Sequence, residues 1–251
     1  MVTSPVRVSV VVPCYNAAPL IVASLEKLLD FMRKREELAP WEVLLVDDGS
    51  SDGTAEVVCE HLTEVRVLRD PVNRGKGAAV RRGMLEARGD YRFFIDADMP
   101  FDLEALSVMF RYLDFKEFDV CIGTRSIANV EETVDRTLLR KASGYLFSAL
   151  TSRLVVTGIR DTQCGMKGFR GGAAEYLFGE SRIEGFAFDV EVLYLAYKND
   201  FDVKRVPVTL VSDDVSTVSV LRHALPMLIS VLGIPARWYG GRYRLYGKGR
   251  A

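Results

Sequence analysis

The feature that most constrains the fold is a regular alternation of short apolar runs with amphipathic segments over the first half of the chain. The runs are rich in β-branched or aromatic residues and have the length of buried strands, whereas the segments between them show helical periodicity. We predict strands at residues 7–12, 41–46, 65–68, 91–95 and 118–122, and helices at residues 19–35, 75–88 and 102–113, with a shorter helix from residue 53 or 54. Such alternation indicates an α/β fold with a doubly wound, mostly parallel sheet, which binds ligands outside the carboxyl ends of its strands.

Local signals support these helices. Pro19 lies where proline is favoured, in the first turn of a helix. Asp102 is a residue type that caps helix N-termini, and it precedes the segment predicted to form the fourth helix. Ala79, Gly83 and Ala87 are spaced by four, so they share one helix face on which another element can pack closely.

The alternation is lost after Gly123. There we predict a long helix at residues 135–154, a polar segment at 161–170, a helix at 189–198, a valine-rich strand at 203–211 and a final helix at 218–238. No internal repeat or low-complexity linker separates the two halves. We therefore expect one main domain, residues 1–212, followed by a C-terminal interfacial helix and a basic, aromatic tail, residues 213–251.

Composition excludes several classes of function. The formal net charge of the 251-residue chain is −1, so the basic surplus of a nucleic-acid-binding protein is missing. Only two histidines are present, His61 and His223, which argues against a histidine-based triad or metal centre. The N-terminus has no secretory pattern, and the longest apolar stretch, residues 224–236, is interrupted by prolines and too short to cross a bilayer. Scattered cysteines predict reduced, mostly buried thiols: Cys14, Cys59, Cys121 and Cys164.

Two predicted strands end in aspartates. Asp96 and Asp98 directly follow the strand at residues 91–95, and Asp47 and Asp48 end the strand at residues 41–46. Residues two apart in an extended chain share a face, so Asp96 and Asp98 would repel each other unless a cation lay between them. Mg²⁺ commonly binds through one or two carboxylates together with substrate phosphates. Taken alone, an Asp-x-Asp sequence is a weak signal that more often marks a turn or a helix cap, but two acidic strand ends together favour a nucleotide-diphosphate site.

Five motifs occur in a characteristic order along the chain. They are Val8–Asn16, Val46–Thr54, Asn73–Ala78, Asp96–Asp98 and Asp161–Phe169. In this order and spacing they resemble the inverting family 2 glycosyltransferases of GT-A fold, and within them the dolichyl- and polyprenyl-phosphate glucosyltransferases and mannosyltransferases. The Asp161–Phe169 motif and the segment Phe186–Glu191 look like the glucosyltransferase side. The resemblance covers most of the chain and implies that residues 1–212 are a GT-A catalytic domain.

The resemblance implies a nucleotide-sugar site and a divalent cation, Mg²⁺ or Mn²⁺. Asp98, with Asp96, would hold the metal, and Asp47 or Asp48 would contact the base or ribose. Lys76 would bring positive charge to the nucleotide, the alternative being a solvated lysine at a helix start. Pro100 stands where related mannosyltransferases often carry a glutamine ligand. The residues implied in donor binding are Pro13, Tyr15, Asn16, Asp47, Asp48, Lys76, Asp96 and Ala97.

Arginines in the second half suggest an acceptor phosphate site. Arg125 follows the fifth strand, and Arg136 and Arg140 are four apart, so both project from one helix face. A guanidinium fork suits a phosphate, although Arg136 could instead pair with Glu132 and Arg140 could be solvated. We also expect Ser143, or its neighbour Gly144, near the acceptor.

A general base is needed for a hydroxyl acceptor but not for a phosphate. A phosphate monoester has a second pKa of about 6 and is already a dianion near neutral pH. Asp161 or Asp189 could act as a base toward another acceptor. The structural alternatives are a turn for Asp161 and a helix N-cap for Asp189.

The C-terminal segment combines apolar, aromatic and basic residues. A mostly apolar helix is predicted at residues 218–238. At and beyond its end lie the aromatic residues Trp238, Tyr239, Tyr243 and Tyr246 and the basic residues Arg237, Arg242, Arg244, Lys248 and Arg250. This pattern suits an anionic membrane interface. The alternative is a helix packed on the domain or in a dimer interface, followed by a disordered basic tail.

The sequence therefore predicts a metal-dependent, inverting hexosyltransferase. It would transfer glucose from UDP-glucose, or mannose from GDP-mannose, to a polyprenyl phosphate at the cytoplasmic membrane face. We expect peripheral membrane contact, no transmembrane segment, no nucleic-acid partner and a possible homodimer. A glycosyltransferase with a soluble or glycan hydroxyl acceptor is a second hypothesis, and a nucleotide-sugar-binding protein without turnover is a third.

Overall fold

The computed structural model describes residues 6–125, 162–211 and 220–247, which contain one seven-stranded sheet with helices on both faces. The strands are β1 (Val8–Cys14), β2 (Trp41–Asp47), β3 (Val65–Arg69), β4 (Tyr91–Ile95), β5 (Val120–Arg125), β6 (Met166–Arg170) and β7 (Val203–Val208). The helices are α1 (Ala18–Arg33), α2 (Thr54–His61), α3 (Lys76–Glu86), α4 (Glu104–Asp114), α5 (Gly171–Glu180), α6 (Phe188–Lys198) and α7 (Val220–Tyr239), with a 3₁₀ turn at Glu36–Leu38. The predicted α/β class is confirmed.

The strand order is β3-β2-β1-β4-β6-β5-β7. Within this sheet β6 runs antiparallel to both of its neighbours, β4 and β5, and the other pairs are parallel. The carboxyl ends of β1, β2, β4 and β5 therefore meet at one edge, and this edge carries the acidic motifs.

The prediction of a polar segment at residues 161–170 is wrong for its second half, because residues 166–170 form β6. Two features hid this strand. Lys167 is fully buried yet charged, and Gly168 gives no β-propensity. The glycine is nevertheless required, since a Cβ there would lie 2.4 Å from Cε1 of Phe93 on β4.

Other differences concern boundaries. β5 begins at Val120, two residues later than predicted, and β7 ends at Val208. The helix α5 was not predicted, because its first two residues are glycines. Leu103, rather than Asp102, is the residue before α4, although Asp102 Oδ1 accepts a hydrogen bond of 3.0 Å from the backbone N–H of Glu104. The helix predicted at residues 135–154 lies outside the described residues.

Two apolar clusters sandwich the sheet. One lies under α1, α2 and α4, and the other under α3, α5, α6 and α7. The close-packing face predicted for α3 is present, because Ala79, Gly83 and Ala87 are all buried. A Cβ on Gly83 would lie 2.3 Å from Cγ1 of Val11, so a glycine lets α3 lie directly on β1. Three of the four cysteines are buried and only Cys59 is exposed, and all four are free thiols.

The C-terminal helix α7 packs against the domain. Val231 and Ile234 are buried in the second apolar cluster, and Tyr243 is buried beyond the end of the helix. Trp238 meets Tyr194 of α6 edge to face, with ring centroids 6.0 Å apart. No helix in the described parts of the chain is both long and apolar enough to cross a membrane. The boundary between residues 212 and 213 stays a prediction, since residues 212–219 lie outside the described ranges.

Candidate functional site

The turn after β1 is tied to the turn after β2. Asn16 has a left-handed φ of 49°, and its side-chain Oδ1 accepts a hydrogen bond of 2.9 Å from the backbone N–H of Ser51. Its own backbone N–H donates to Oγ of Ser50 over 2.8 Å. Pro13 is buried within β1, whereas the side chain of Tyr15 is 51% exposed. Of the three predicted donor contacts in this turn, Tyr15 and Asn16 are exposed, and Oδ1 of Asn16 already accepts from Ser51.

Asp48 holds the loop that carries Asn73, Arg74 and Gly75. Its Oδ1 accepts from the backbone N–H of Arg74 over 2.9 Å, and its Oδ2 accepts from that of Gly75 over 2.7 Å. Burial raises the pKa of Asp48 above its ordinary value, and these two bonds oppose that shift. Asp47 is also buried and accepts from the N–H of Ser50 over 3.1 Å. Both aspartates therefore organise loops at the site.

Lys76 and Asp96 form an ion pair at the end of β4. The Lys76 Nζ lies 2.6 Å from Oδ1 of Asp96, and the two side chains are 22% and 26% exposed. Burial lowers the pKa of Lys76, but the carboxylates of Asp96, Asp189 and Asp98 outweigh this effect and leave the pKa above its usual range. Lys76 is therefore a fixed cation among three carboxylates, and the alternative of a solvated lysine at the helix start is wrong.

The Asp96–Asp98 turn is sharply shaped. The backbone N–H of Asp96 donates to the carbonyl of Gly165 over 3.0 Å, and Met99 has a φ of 43°. A Cβ on Gly165 would lie only 2.0 Å from Oδ2 of Asp96, so residue 165 must be glycine for Asp96 to keep this position. Ala97 is half-buried, and Asp98 is exposed at the edge of the sheet.

This geometry reduces the number of protein ligands that we expect a metal ion to have here. Asp96 already has a cationic partner in Lys76, so the repulsion expected between Asp96 and Asp98 is relieved without a metal. Among the described residues, no three His, Cys, Asp or Glu side chains converge on a point where they could hold an ion. A cation here would take Asp98 as its protein ligand and most other oxygens from a ligand and water, which is how Mg²⁺ often binds diphosphates.

A second ion pair, Lys167–Asp189, lies beneath the site. Lys167 Nζ is 2.6 Å from Oδ1 of Asp189, both side chains are buried, and Nζ also donates to the carbonyl of Cys164 over 2.7 Å. The ammonium lies 5.2 Å from the ring centroid of Phe94. Burial raises the pKa of Asp189, and the charges of Lys167 and Lys76 oppose that shift.

Asp189 is thus neither an N-cap nor an open base. The residue before α6 is Ala187, so the N-cap alternative is wrong, and Asp189 lies in the first turn of α6. Sequence reasoning missed Lys167, although the signal was visible as one lysine in an otherwise apolar and glycine-containing segment.

The predicted acceptor residues fall mostly outside the described part of the chain. Arg125 is the last residue of β5, whose carboxyl end lies at the same edge as those of β1, β2 and β4. Its side chain lies outside the described part of the chain, as do four other predicted residues, Arg136, Arg140, Ser143 and Asp161. A shallow depression lined by Arg88, Arg170 and Glu175 lies at the opposite edge of the sheet, beside the amino end of β4, and is remote from these motifs.

The chain is similar to proteins of one family over most of its length. The sequence model of glycosyl transferase family 2 matches residues 9–178. The chain is 35% identical over 253 residues to a dolichyl-phosphate β-glucosyltransferase of Drosophila melanogaster, a match covering 95% of this chain and 77% of that protein. The corresponding human protein is 34% identical over 253 residues, with 95% and 78% covered. That of Dictyostelium discoideum is 31% identical over 252 residues, with 96% and 77% covered.

Solved structures share the fold. Mannosyl-3-phosphoglycerate synthase from Rubrobacter xylanophilus superposes with a TM-score of 0.71 at 18% identity, over 98% of this chain and 78% of that one. Glucosyl-3-phosphoglycerate synthase from Mycobacterium tuberculosis, in complex with Mn²⁺ and UDP-glucose, superposes with a TM-score of 0.62 at 19% identity, over 97% and 81%. Together with the family match and the curated relatives, the strand order and the acidic strand ends show that this chain belongs to glycosyl transferase family 2 and has the GT-A fold.

Proposed function

We propose that this protein transfers glucose from UDP-glucose to dolichyl phosphate or a related polyprenyl phosphate, with inversion at the sugar and with a divalent cation. The main support for this proposal is the arrangement of Lys76, Asp96 and Asp98 at the end of β4, which suits a nucleotide-diphosphate sugar. The choice of glucose over mannose follows from the relatives, which are named dolichyl-phosphate β-glucosyltransferases.

The donor would be held by the loop that Asp48 fixes and by Lys76 behind it. A diphosphate is attracted to a fixed ammonium, and Lys76 keeps its proton because three carboxylates face it. The exposed ring of Tyr15 and the strand ends at Asp47 and Asp48 are proposed to face the nucleoside. The fold match to a protein solved with UDP-glucose and Mn²⁺ is consistent with this donor.

The residues present suit a cation shared with a diphosphate. Asp98 would hold it, with Asp96 kept in place by Lys76. A bound Mg²⁺ or Mn²⁺ would neutralise charge on the departing diphosphate. Lys76 would contribute positive charge at the same edge, and the short turn from Asp96 to Met99 would fix the direction of the Asp98 side chain.

A phosphate acceptor is favoured by the state of Asp189. One of the two candidate bases is buried and held by Lys167, so it is poorly placed to take a proton from a hydroxyl acceptor. A phosphate dianion needs no such base, and the enzyme's task is then to position it in line with the anomeric carbon. We propose Arg125, Arg136, Arg140 and Ser143 as its contacts.

Calorimetry and a transfer assay test this function. We expect UDP-glucose to bind at least tenfold more tightly with Mn²⁺ than in EDTA, and more tightly than GDP-mannose under the same conditions, because the metal links Asp98 to the diphosphate. Glucose from labelled UDP-glucose should appear in the lipid phase when dolichyl phosphate is added. Preference for GDP-mannose would overturn the choice of sugar, and transfer only to water-soluble glycans would overturn the choice of acceptor.

The exposed face of α7 is proposed to lie on the cytoplasmic surface of an anionic membrane. Ile229 is 64% exposed and Leu232 is 49% exposed, on the side away from Val231 and Ile234. Exposed Arg242 and Arg244 follow the helix. Two residues predicted for this interface face inward instead, since Arg237 pairs with Glu191 and Tyr243 is buried with its hydroxyl on the same carboxylate.

Flotation with liposomes tests the membrane contact. The chain should float with phosphatidylserine-containing vesicles at low salt and detach partly at high salt. The Ile229→Glu/Leu232→Glu variant should lose flotation, because two carboxylates replace the apolar contact. Phe115→Glu is the matched control, since Phe115 is 73% exposed at the end of α4 on the other face of the sheet. Unchanged flotation of the double variant would overturn the membrane contact. If the wild-type chain is a dimer and the double variant a monomer, this face is a contact between two copies of the chain.

A further inference from the structure

Glu191 on α6 is a fully buried carboxylate that accepts four hydrogen bonds. Its Oε2 accepts from the backbone N–H groups of Arg182 and Ile183, over 2.7 and 2.8 Å. Its Oε1 accepts from Nη1 of Arg237 over 3.1 Å and from the hydroxyl of Tyr243 over 2.6 Å. One oxygen thus holds the loop at residues 182–185, and the other holds the C-terminal segment. A buried charge satisfied on both oxygens fixes its partners relative to one another.

The 182–185 loop lies directly against the start of α3. The carbonyl of Glu184 accepts a hydrogen bond of 3.1 Å from the N–H of Ala78. A Cβ on Gly77 would lie 2.5 Å from the carbonyl oxygen of Ile183, and a Cβ on Gly75 would lie 2.7 Å from that of Glu184. Gly75 and Gly77, on either side of Lys76, are therefore the residues that leave room for this loop. The loop in turn fixes the backbone position of Lys76, where α3 begins.

The C-terminal side of this connection is equally well defined. Burial, and then the neighbouring Glu191 carboxylate, raise the pKa of Tyr243, so its hydroxyl keeps its proton and remains a donor at neutral pH. Arg182 donates from Nη2 to the carbonyl of Arg242 over 2.8 Å, which ties the loop to the tail a second time. Arg237 also donates to the carbonyl of Ser230 within α7.

We propose that Glu191 is a positioning residue that couples the docked C-terminal segment to the donor site. The coupling runs from Tyr243 and Arg237 through Glu191 to the 182–185 loop, and from that loop to Lys76 and its partner Asp96. Loosening the tail would thus displace the cation that faces the donor's diphosphate, although the tail itself does not touch the donor. This inference rests on the proposed function, since it takes the donor to bind beside Lys76.

The Tyr243→Phe variant tests the coupling with the smallest possible change. It removes one hydroxyl and leaves Glu191 with its other three donors, so the chain should remain folded. We expect the affinity for UDP-glucose to fall about fivefold, the size of one lost hydrogen bond. The KM for UDP-glucose should rise with it, while the KM for dolichyl phosphate stays the same. Tyr246→Phe is the matched control, because the Tyr246 hydroxyl makes no hydrogen bond within the described residues.

Hydrogen exchange gives a readout that does not depend on the donor. The N–H of Ala78 is shared between the carbonyls of Gly75 and Glu184, over 2.9 and 3.1 Å, so loosening the 182–185 loop removes one of its two acceptors. The peptide spanning residues 74–79 should therefore exchange faster in Tyr243→Phe and at the wild-type rate in Tyr246→Phe. An Arg237→Lys variant, which keeps the charge but loses the fork, should show the same change. A lower melting temperature with unaltered exchange and unaltered UDP-glucose affinity would overturn the coupling and leave Glu191 as a scaffold residue. If the wild-type chain binds no UDP-glucose, the proposed function fails, whereas the exchange result still decides the coupling.

Discussion

The Asp98→Ala variant is expected to lose glucose transfer by about 10²–10³-fold, the range seen when one electrostatic stabiliser of a transition state is removed. Asp98 is the exposed carboxylate at the end of β4, where it can reach a metal–diphosphate group, whereas Asp96 is paired with Lys76. Its loss should remove the link between the metal and the protein. Binding of UDP-glucose should then become insensitive to Mn²⁺, which calorimetry measures without turnover.

A matched control for this variant lies at the other end of the same strand. Asp90 is exposed at the amino end of β4, at the opposite edge of the sheet, and Asp90→Ala should transfer glucose at the wild-type rate. Wild-type activity of Asp98→Ala in excess EDTA would show that the reaction needs neither this carboxylate nor a metal. Retained Mn²⁺ dependence at normal turnover would move the metal to another residue.

The Lys167→Met variant should have the largest effect on stability. It would leave Asp189 buried and charged without its main partner, which costs roughly 3–5 kcal/mol of unfolding free energy. For a chain of this size that corresponds to a fall in melting temperature on the order of 10 °C. Burial already raises the pKa of Asp189 above its unfolded value, so the folded variant binds a proton more readily than the unfolded chain does. The deficit should therefore be largest at neutral pH and shrink as the pH falls through the folded-state pKa.

The double variant Lys167→Met/Asp189→Leu separates pairing from packing. Because it removes both charges and restores apolar volume, it should recover most of the lost stability, even if transfer stays impaired. A single Lys167→Met variant that melts like the wild type would mean that Asp189 finds another partner or is neutral in the native protein. Calorimetric unfolding from pH 5 to pH 8 distinguishes these outcomes.

The hydrophobic pattern of the sequence predicted the strands and helices that are marked by their own residues. The strands β1 to β4 and the helices α1 and α3 follow from apolar runs and helix-start residues, and the acidic strand ends locate the site edge because parallel strands must end together. The strand β6 could not be predicted in this way. Its pairing with β4 and β5 is non-local, and its central residue, Lys167, looks solvent-facing until Asp189 is brought beside it.

The candidate site shows the same division. Sequence reasoning assigned Asp47 and Asp48 to a ligand, yet the structure gives both of them backbone partners, in the turn at Ser50 and in the loop at Arg74 and Gly75. A carboxylate at a strand end has the same one-dimensional signature whether it binds a ligand or a neighbouring loop. Only the folded chain reveals that Lys76, seen in sequence as a helix-start lysine, is surrounded by three carboxylates, two from the Asp96–Asp98 turn and one from α6.

The insertion of β6 between β4 and β5 has a consequence for biosynthesis. β4 is synthesised long before its neighbour β6. Both neighbours of β5, which are β6 and β7, also follow it in the chain. An emerging chain therefore carries the bare edges of β4 and β5 until residues 166–170 have left the ribosome, and exposed strand edges recruit other strands. Translational pausing before residue 166 would lengthen this vulnerable interval. The arrival of β6 covers the facing edges of β4 and β5 together, and the other edge of β5 stays open until β7 follows.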